Sequence, residues 1–206
     1  MDKKAMYKLS YGLFVLTAKE GEKDNGCIIN TAIQAASDPN QLSICVNKAN
    51  YTHDMVKRTG EFTVSIISQV ASFDLFKHFG FQSGRETDKF ESFDQCKRGS
   101  NTIFYITEGT NAYLSVKVKK VEDLGSHTMF IGEITDMEVL SDAPSVTYDY
   151  YLNNIKPKPQ AAKETKDGQT IWRCKICGYE YVGDTLPEDF VCPVCKHPAS
   201  DFEKVV

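Results

Sequence analysis

GCIINTAIQAASDPNQLSICVNKANYTHDMVKRTGEFTVSII, residues 26–67, holds strand, turn and helix signals in one run. QLSICVN (41–47) and EFTVSIIS (61–68) are short and rich in β-branched and apolar residues, so they read as strands. SDPN (37–40) ahead of the first is a turn sequence, because Ser, Asp, Pro and Asn each favour turn backbone. Between the strands lies HDMVKRT (53–59). Thr52 can cap it as a short helix and Gly60 can end it, with Met55 and Val56 facing inward.

The same grammar continues outward. Met1 to Lys4 is basic and LSYGLFVLTA follows, a pattern open to reading as a short signal peptide. Ser10, Tyr11 and Gly12 dilute that run and a small-x-small cleavage pattern is lacking, so YGLFVLTA reads as a buried first strand. AYLSVKVKKV (112–121) alternates Leu114, Val116 and Val118 with Ser115, Lys117 and Lys119, the pattern of a half-buried strand. EDLGS (122–126) is a turn, and HTMFIGEITDMEVL (127–140) a long strand in which Gly132 marks a bulge or a close backbone approach. A second helix is expected from about Ser68 to Phe79, with Val70, Phe73 and Phe76 on one face. Many strands with few helices predict a mainly β fold, a closed or nearly closed barrel.

Composition narrows the function. The chain has 206 residues, 41% of them apolar, and a net charge of −4, which argues against nucleic acid as a partner. No apolar run approaches the roughly 20 residues of a membrane span. Of seven cysteines, four fall in two Cys-x-x-Cys pairs and Cys27, Cys45 and Cys96 stand alone. That is not a disulfide framework and suits a reducing, cytoplasmic setting. No G-x-G-x-x-G, P-loop or Ser-His-Asp pattern is present.

KPKPQAAKETKDGQT (156–170) has no large apolar residue and reads as a linker between a domain at 1–155 and a module at 171–206. In the module, Cys174 and Cys177 are separated by fourteen residues from Cys192 and Cys195. Two such pairs make a tetrahedral thiolate site for zinc or iron. With every position filled by thiolate, no substrate can coordinate, so the metal holds the fold or carries an electron. A segment this short needs the metal's binding energy to fold.

WRCKICGYEYVGD (172–184) and EDFVCPVCKHPASDFE (188–203) resemble rubredoxin. The resemblance implies one iron per chain on Cys174, Cys177, Cys192 and Cys195, knuckle N–H groups on the sulfurs, and a small aromatic core from Trp172, Tyr179, Tyr181, Phe190 and Phe202. The loop between the pairs is about half the usual rubredoxin length, as in rubrerythrin modules. Lys196 stands where glycine is usual.

The run 26–67, with FGFQSGRETDKFE (79–91) and GSHTMFIGEI (125–134), resembles the flavin-reductase-like, FMN-binding split barrels. That family implies FMN at a homodimer interface, accepting hydride from NAD(P)H. Asn30, Thr31, Ala32 and Ile33 match the segment along the flavin ring. Val46, Asn47 and Lys48 match the segment near ribityl and phosphate. Asn50, Tyr51 and Thr52 begin a helix whose N-terminus suits phosphate. Phe79, Ser83, Gly84 and Lys89 match a loop over the cofactor. His127 matches a histidine beside the nicotinamide pocket and a candidate catalytic residue; Ser126 replaces the aspartate usual before it. The two modules together resemble the high-molecular-weight rubredoxins of anaerobic bacteria, which implies electron delivery to a flavodiiron protein that reduces dioxygen or nitric oxide. Two other readings are a flavin reductase releasing free reduced FMN beside a structural zinc knuckle, and a carrier reduced by another protein.

Overall fold

A computed structural model describes residues 3–157, 170–175, 178–192 and 198–205. After a 3-10 turn, Lys3–Lys8, the chain forms β1 (Phe14–Glu20), β2 (Lys23–Ile29), β3 (Ile33–Ser37) and β4 (Asn40–Asn47), then helix α1 (Tyr51–Thr59). Strand β5 (Glu61–Ile67) and helix α2 (Phe73–Gly80) follow. Next come β6 (Cys96–Arg98), β7 (Phe104–Ile106), β8 (Thr110–Asp123) and β9 (His127–Val139). Two helical turns, Tyr148–Tyr150 and Tyr151–Ile155, end this part.

The main sheet runs β2-β1-β5-β8-β9-β4-β3, antiparallel throughout. Its two edges, β2 and β3, are neighbours in sequence, joined only by Asn30, Thr31 and Ala32. Three residues reach at most about 10 Å, so the sheet must curl until its edges meet. They meet without pairing, which makes the barrel split.

The interior is filled by Leu16, Ile44, Val46, Phe62, Val64 and Phe130, all fully buried. Met55 and Val56 of α1 join that core, so the helix plugs the barrel. Gly60 ends α1 in the left-handed region, at φ 72°, which glycine adopts without strain. On the outer face of β1, Val15, with Leu13 just before the strand, packs with Leu75, Phe76 and Phe79 of α2 and with Tyr151.

Gly132 behaves as its sequence context requires. A Cβ there would lie 2.5 Å from Val116 Cγ1 and 2.7 Å from the Lys117 carbonyl. The pairing of β8 with β9 slips between Val118 and Lys120, beside Gly132. The turn expected at 122–126 is tighter, since β8 runs on to Asp123 and β9 starts at His127.

Three expectations are corrected. Helix α2 starts at Phe73, not near Ser68, and Val70 is 73% exposed. Ser68 instead bridges Ser145 and residues 69–70 form a turn, with Ser68 N–H on the Gly109 carbonyl, Gln69 N–H on that of Pro144 and Ala71 N–H on that of Ser68. Ser115, expected to face solvent, is fully buried, because the β6–β7 hairpin covers that face of β8: Tyr105 stacks on Tyr113 at 4.0 Å. Thr52 does not cap α1; the cap position is Asn50 and Thr52 lies inside the helix, fully buried.

In the C-terminal part, β10 (Ile171–Cys174) lies between β11 (Glu180–Val182) and β12 (Phe202–Lys204). Cys174 pairs across with Phe202, and Trp172 with Tyr181. Most of the linker read at 156–170, residues 158–169, lies outside the described residues.

Candidate functional site

Strand pairing joins two of the candidate segments. Asn47 sits opposite His127, and Val46 opposite Thr128, where β4 ends and β9 begins. Lys48 N–H donates to the Ser126 carbonyl, and the Lys48 ammonium holds Asp123 at 2.7 Å. A third segment is tied on by Thr31, whose hydroxyl donates to the Cys45 carbonyl at 2.7 Å and accepts from Cys45 N–H at 3.2 Å. The Thr31 side chain thus fixes the β2–β3 connection against β4. Ala32 packs on the interior core and Ile33 is left 67% exposed.

The start of α1 is the fourth segment. Asn50 makes no side-chain cap bond, and although His53 N–H donates to the Asn50 carbonyl at 3.1 Å, the earliest N–H groups of a helix have no partner within it. Together they make a donor-rich, electropositive end. Lys23 Nζ lies 4.6 Å from the centre of the Tyr51 ring and the Arg85 guanidinium carbon 4.9 Å from it. Two cations therefore flank the helix's first residue. Thr52 takes no part in this surface: its hydroxyl accepts from Asn25 Nδ2 at 3.0 Å inside the fold.

Loop 81–90 is fastened at three places. Ser83 organises it, with its hydroxyl accepting from Arg85 N–H and its carbonyl from Glu86 and Thr87 N–H. Gly84 lies so close to the buried Asn25 side chain that a Cβ would fall 2.0 Å from Asn25 Oδ1. Arg85 donates to Asp54 Oδ2 at 2.6 Å. Lys89 is 3% exposed, and its ammonium donates to the carbonyls of Gly26 at 2.7 Å and Phe79 at 3.0 Å. A cleft of about 220 Å³ opens beside the loop, lined among others by Asn50, Phe79, Phe81, Gln82, Lys89 and Tyr151.

Burial pushes the Lys89 ammonium from its ordinary 10.5 down to about 8, with partial relief from Cys27. The unfolded chain then binds more protons than the native one between pH 8 and 10.5. Stability contributed by this group therefore rises with pH across that window. Chemical unfolding of wild type and Lys89→Met at pH 7 and pH 10 should show the gap between them widen in favour of wild type.

Two histidines flank the strand ends. His127 is half-buried, and its Nδ1 lies 2.9 Å from Ser126 Oγ. The serine thus contacts the ring where the aspartate would stand, without a charge. His53, 4% exposed, lies with Nε2 2.8 Å from Thr128 Oγ1 and Nδ1 2.9 Å from Asp54 Oδ1.

At the candidate metal centre, Cys174 and Cys192 are 1% and 0% exposed and form a small core with Phe202. Trp172, Tyr179, Tyr181, Leu186 and Phe190 pack around it. Gly178 N–H donates to the Cys174 carbonyl, and Cys174 N–H to that of Tyr179, closing the first knuckle. Cys177, Cys195 and Lys196 lie outside the described residues.

The sequence profile of the flavin reductase like domain matches residues 6–156, nearly three quarters of the chain. The chain belongs to the flavin reductase like family. A second profile, the rubrerythrin, rubredoxin-like domain, matches residues 172–203. This flavin reductase-like protein is 34% identical to the high molecular weight rubredoxin of Moorella thermoacetica, over 100% of both chains. It is 39% identical to a ferric-chelate reductase (NAD(P)H) of Archaeoglobus fulgidus, over 79% of this chain and 96% of that one. Among solved structures, the Streptomyces globisporus NADH:FAD oxidoreductase SgcE6 shares the fold, with a TM-score of 0.64 at 21% identity, over 70% of this chain and 85% of that one. The protein is thus an oxidoreductase with a flavin reductase-like barrel and a rubredoxin-like module. No helix among the described residues is long and apolar enough to cross a membrane.

Several groups that build the site of this flavin reductase-like protein have weak sequence signals. Asp54 and Arg85 sit inside stretches already singled out, yet only their 2.6 Å contact marks them. Asn25 sits in KDNGCII, where nothing in the pattern shows that it is buried against Thr52 and Gly84.

Proposed function

We propose that this chain passes electrons from NAD(P)H through FMN to a four-cysteine iron centre and on to an acceptor such as a flavodiiron protein that reduces dioxygen or nitric oxide. The observation that carries this reading is the likeness over the whole chain to a protein named high molecular weight rubredoxin. Bound flavin would supply two-electron acceptance with one-electron release, and bound iron a one-electron store.

The residues fit these groups. A phosphate suits the N-terminus of α1, where Lys23 and Arg85, the latter already paired with Asp54, lie beside Tyr51. FMN is the flavin this reading assigns. Asn50 begins the helix; Val46, Asn47 and Lys48 lead into it. Asn30 to Ile33 lie along the ring in this reading. Phe79 lines the cleft beside the loop that holds Ser83 and Gly84. Thr52 and Lys89 hold the frame, since their polar ends are already bonded inside it. His127 contacts the nicotinamide, its ring set by Ser126. Hydride transfer needs no protein acid or base, so positioning is the main task. For iron, thiolates are the fitting donors, and Cys174 and Cys192 already sit in one buried cluster.

Apolar side chains left exposed on the barrel, Ile33, Met137 and Val139, support a homodimer. Unpaired Cys27, Cys45 and Cys96 support a reducing, cytoplasmic setting. The test is the anaerobic visible spectrum of the purified protein before and after NADH or NADPH. The reading expects flavin and thiolate–iron bands, both bleached by one of the two nucleotides. Stoichiometric zinc in cells supplied with iron, or bands untouched by either nucleotide, would count against it.

A further inference from the structure

One hydrogen-bonded line crosses the site from strand to loop. Thr128 Oγ1 lies 2.8 Å from His53 Nε2, His53 Nδ1 lies 2.9 Å from Asp54 Oδ1, and Asp54 Oδ2 accepts from Arg85 at 2.6 Å. Thr128 follows His127 on β9, His53 and Asp54 belong to the first turn of α1, and Arg85 lies in loop 81–90. The line therefore joins three segments whose neighbours are candidate cofactor residues. His53 is buried against Phe130, with ring centres 5.7 Å apart, so the imidazole has little room to turn. Contacts with His53 and then Arg85 hold the Asp54 carboxyl below the usual carboxylate range, so it is ionised at neutral pH.

The loop's three fastenings differ in kind. Gly84 on Asn25 and Lys89 on its two carbonyls are buried. Arg85 and Asp54 are 49% and 29% exposed. The ion pair is thus the fastening that can open without disturbing the core.

We propose that Asp54 and Arg85, backed by His53, are positioning residues that lock the loop over the flavin cleft to the strand carrying His127. The inference rests on the flavin reading above. It says that cofactor retention and the setting of His127 are governed by one shared device. An exposed pair alone is worth little; this one is charge-assisted, short, and braced from behind by a buried ring.

Flavin-free protein is compared as wild type, Asp54→Ala, Arg85→Ala and the double variant, with Lys77→Ala as a control for a neighbouring exposed ion pair. Hydrogen–deuterium exchange reads residues 82–88 and 126–129; FMN affinity is read by fluorescence. Asp54→Ala should weaken FMN by up to about fivefold, the size of one partly exposed ion pair, and Arg85→Ala by more, because it also removes a cation beside the helix end. The double variant should exchange no faster than Asp54→Ala in either segment, since both lack the same contact. Asp54→Ala should also speed exchange in both segments, Asp54→Glu should restore part of the protection, and Lys77→Ala should change neither readout. Exchange that speeds additively in the double variant, or exchange at 126–129 equal to wild type in Asp54→Ala, would overturn the proposal. If wild type binds no FMN, the flavin reading falls, and the exchange data alone decide whether loop and strand are linked.

Discussion

Cys192→Ser should abolish the thiolate–iron colour and unfold the C-terminal module while the barrel melts as before. Cys192 is fully buried, in a core that among the described residues also holds Cys174 and Phe202. A module that small has too little apolar surface to fold unaided. Structural metal sites of this thiolate type contribute on the order of 10 kcal/mol to folding, and one lost ligand removes most of it. The reporter is built in: Trp172 is the protein's single tryptophan and packs beside the cysteines. Its emission should shift to that of exposed indole, while the far-ultraviolet melting curve of the β-rich barrel stays within a degree or two. A variant that keeps its colour and its tryptophan emission would show that the cysteine cluster does not hold the module together.

Phe130→Ala should strike the other half. Phe130 is completely buried inside the barrel, packed among Leu16, Ile44 and Val64 and against His53. Removing such a ring leaves a cavity that costs about 3–5 kcal/mol, a large share of the 5–15 kcal/mol typical of a whole domain. The barrel's denaturation midpoint should fall steeply, while the iron band and Trp172 emission persist. Together the two substitutions test whether the chain holds two cooperative units. If Trp172 emission and the barrel signal always change at one denaturant concentration, the chain unfolds as one.

How much was readable in advance follows from local chemistry. Strands β4, β5, β8 and β9 are legible because each is long and rich in β-branched residues. Gly60 and Gly132 announce a helix end and a close approach, since a side chain would be strained at the first and crowded at the second. Strand β2, KDNGCII, is masked by Asp, Asn and Gly, residues that elsewhere mark turns, and β6 and β7 are three residues each. The stretch after β5 misleads: its apolar spacing fits a helix, yet distant carbonyls at Gly109 and Pro144 take its first N–H groups and it turns at 69–70. Thr52 looks like a cap because hydroxyls favour that position; it is buried because Asn25 offers it a partner inside. The four candidate metal ligands are the plainest signal, since the spacing of two Cys-x-x-Cys pairs itself points to metal chemistry. The Asp54–Arg85 contact was the least visible, because it depends on how a loop folds back onto a helix.

The central claim is that electrons entering the barrel reach the iron of the same protein. Anaerobic stopped flow of the intact protein with NADH or NADPH, following flavin and iron bands together, tests it most directly. The expected result is flavin bleaching first and iron bleaching second, at a rate independent of protein concentration, as a tethered partner requires. Iron that stays oxidised while the flavin is fully reduced and turning over with free FMN would contradict it.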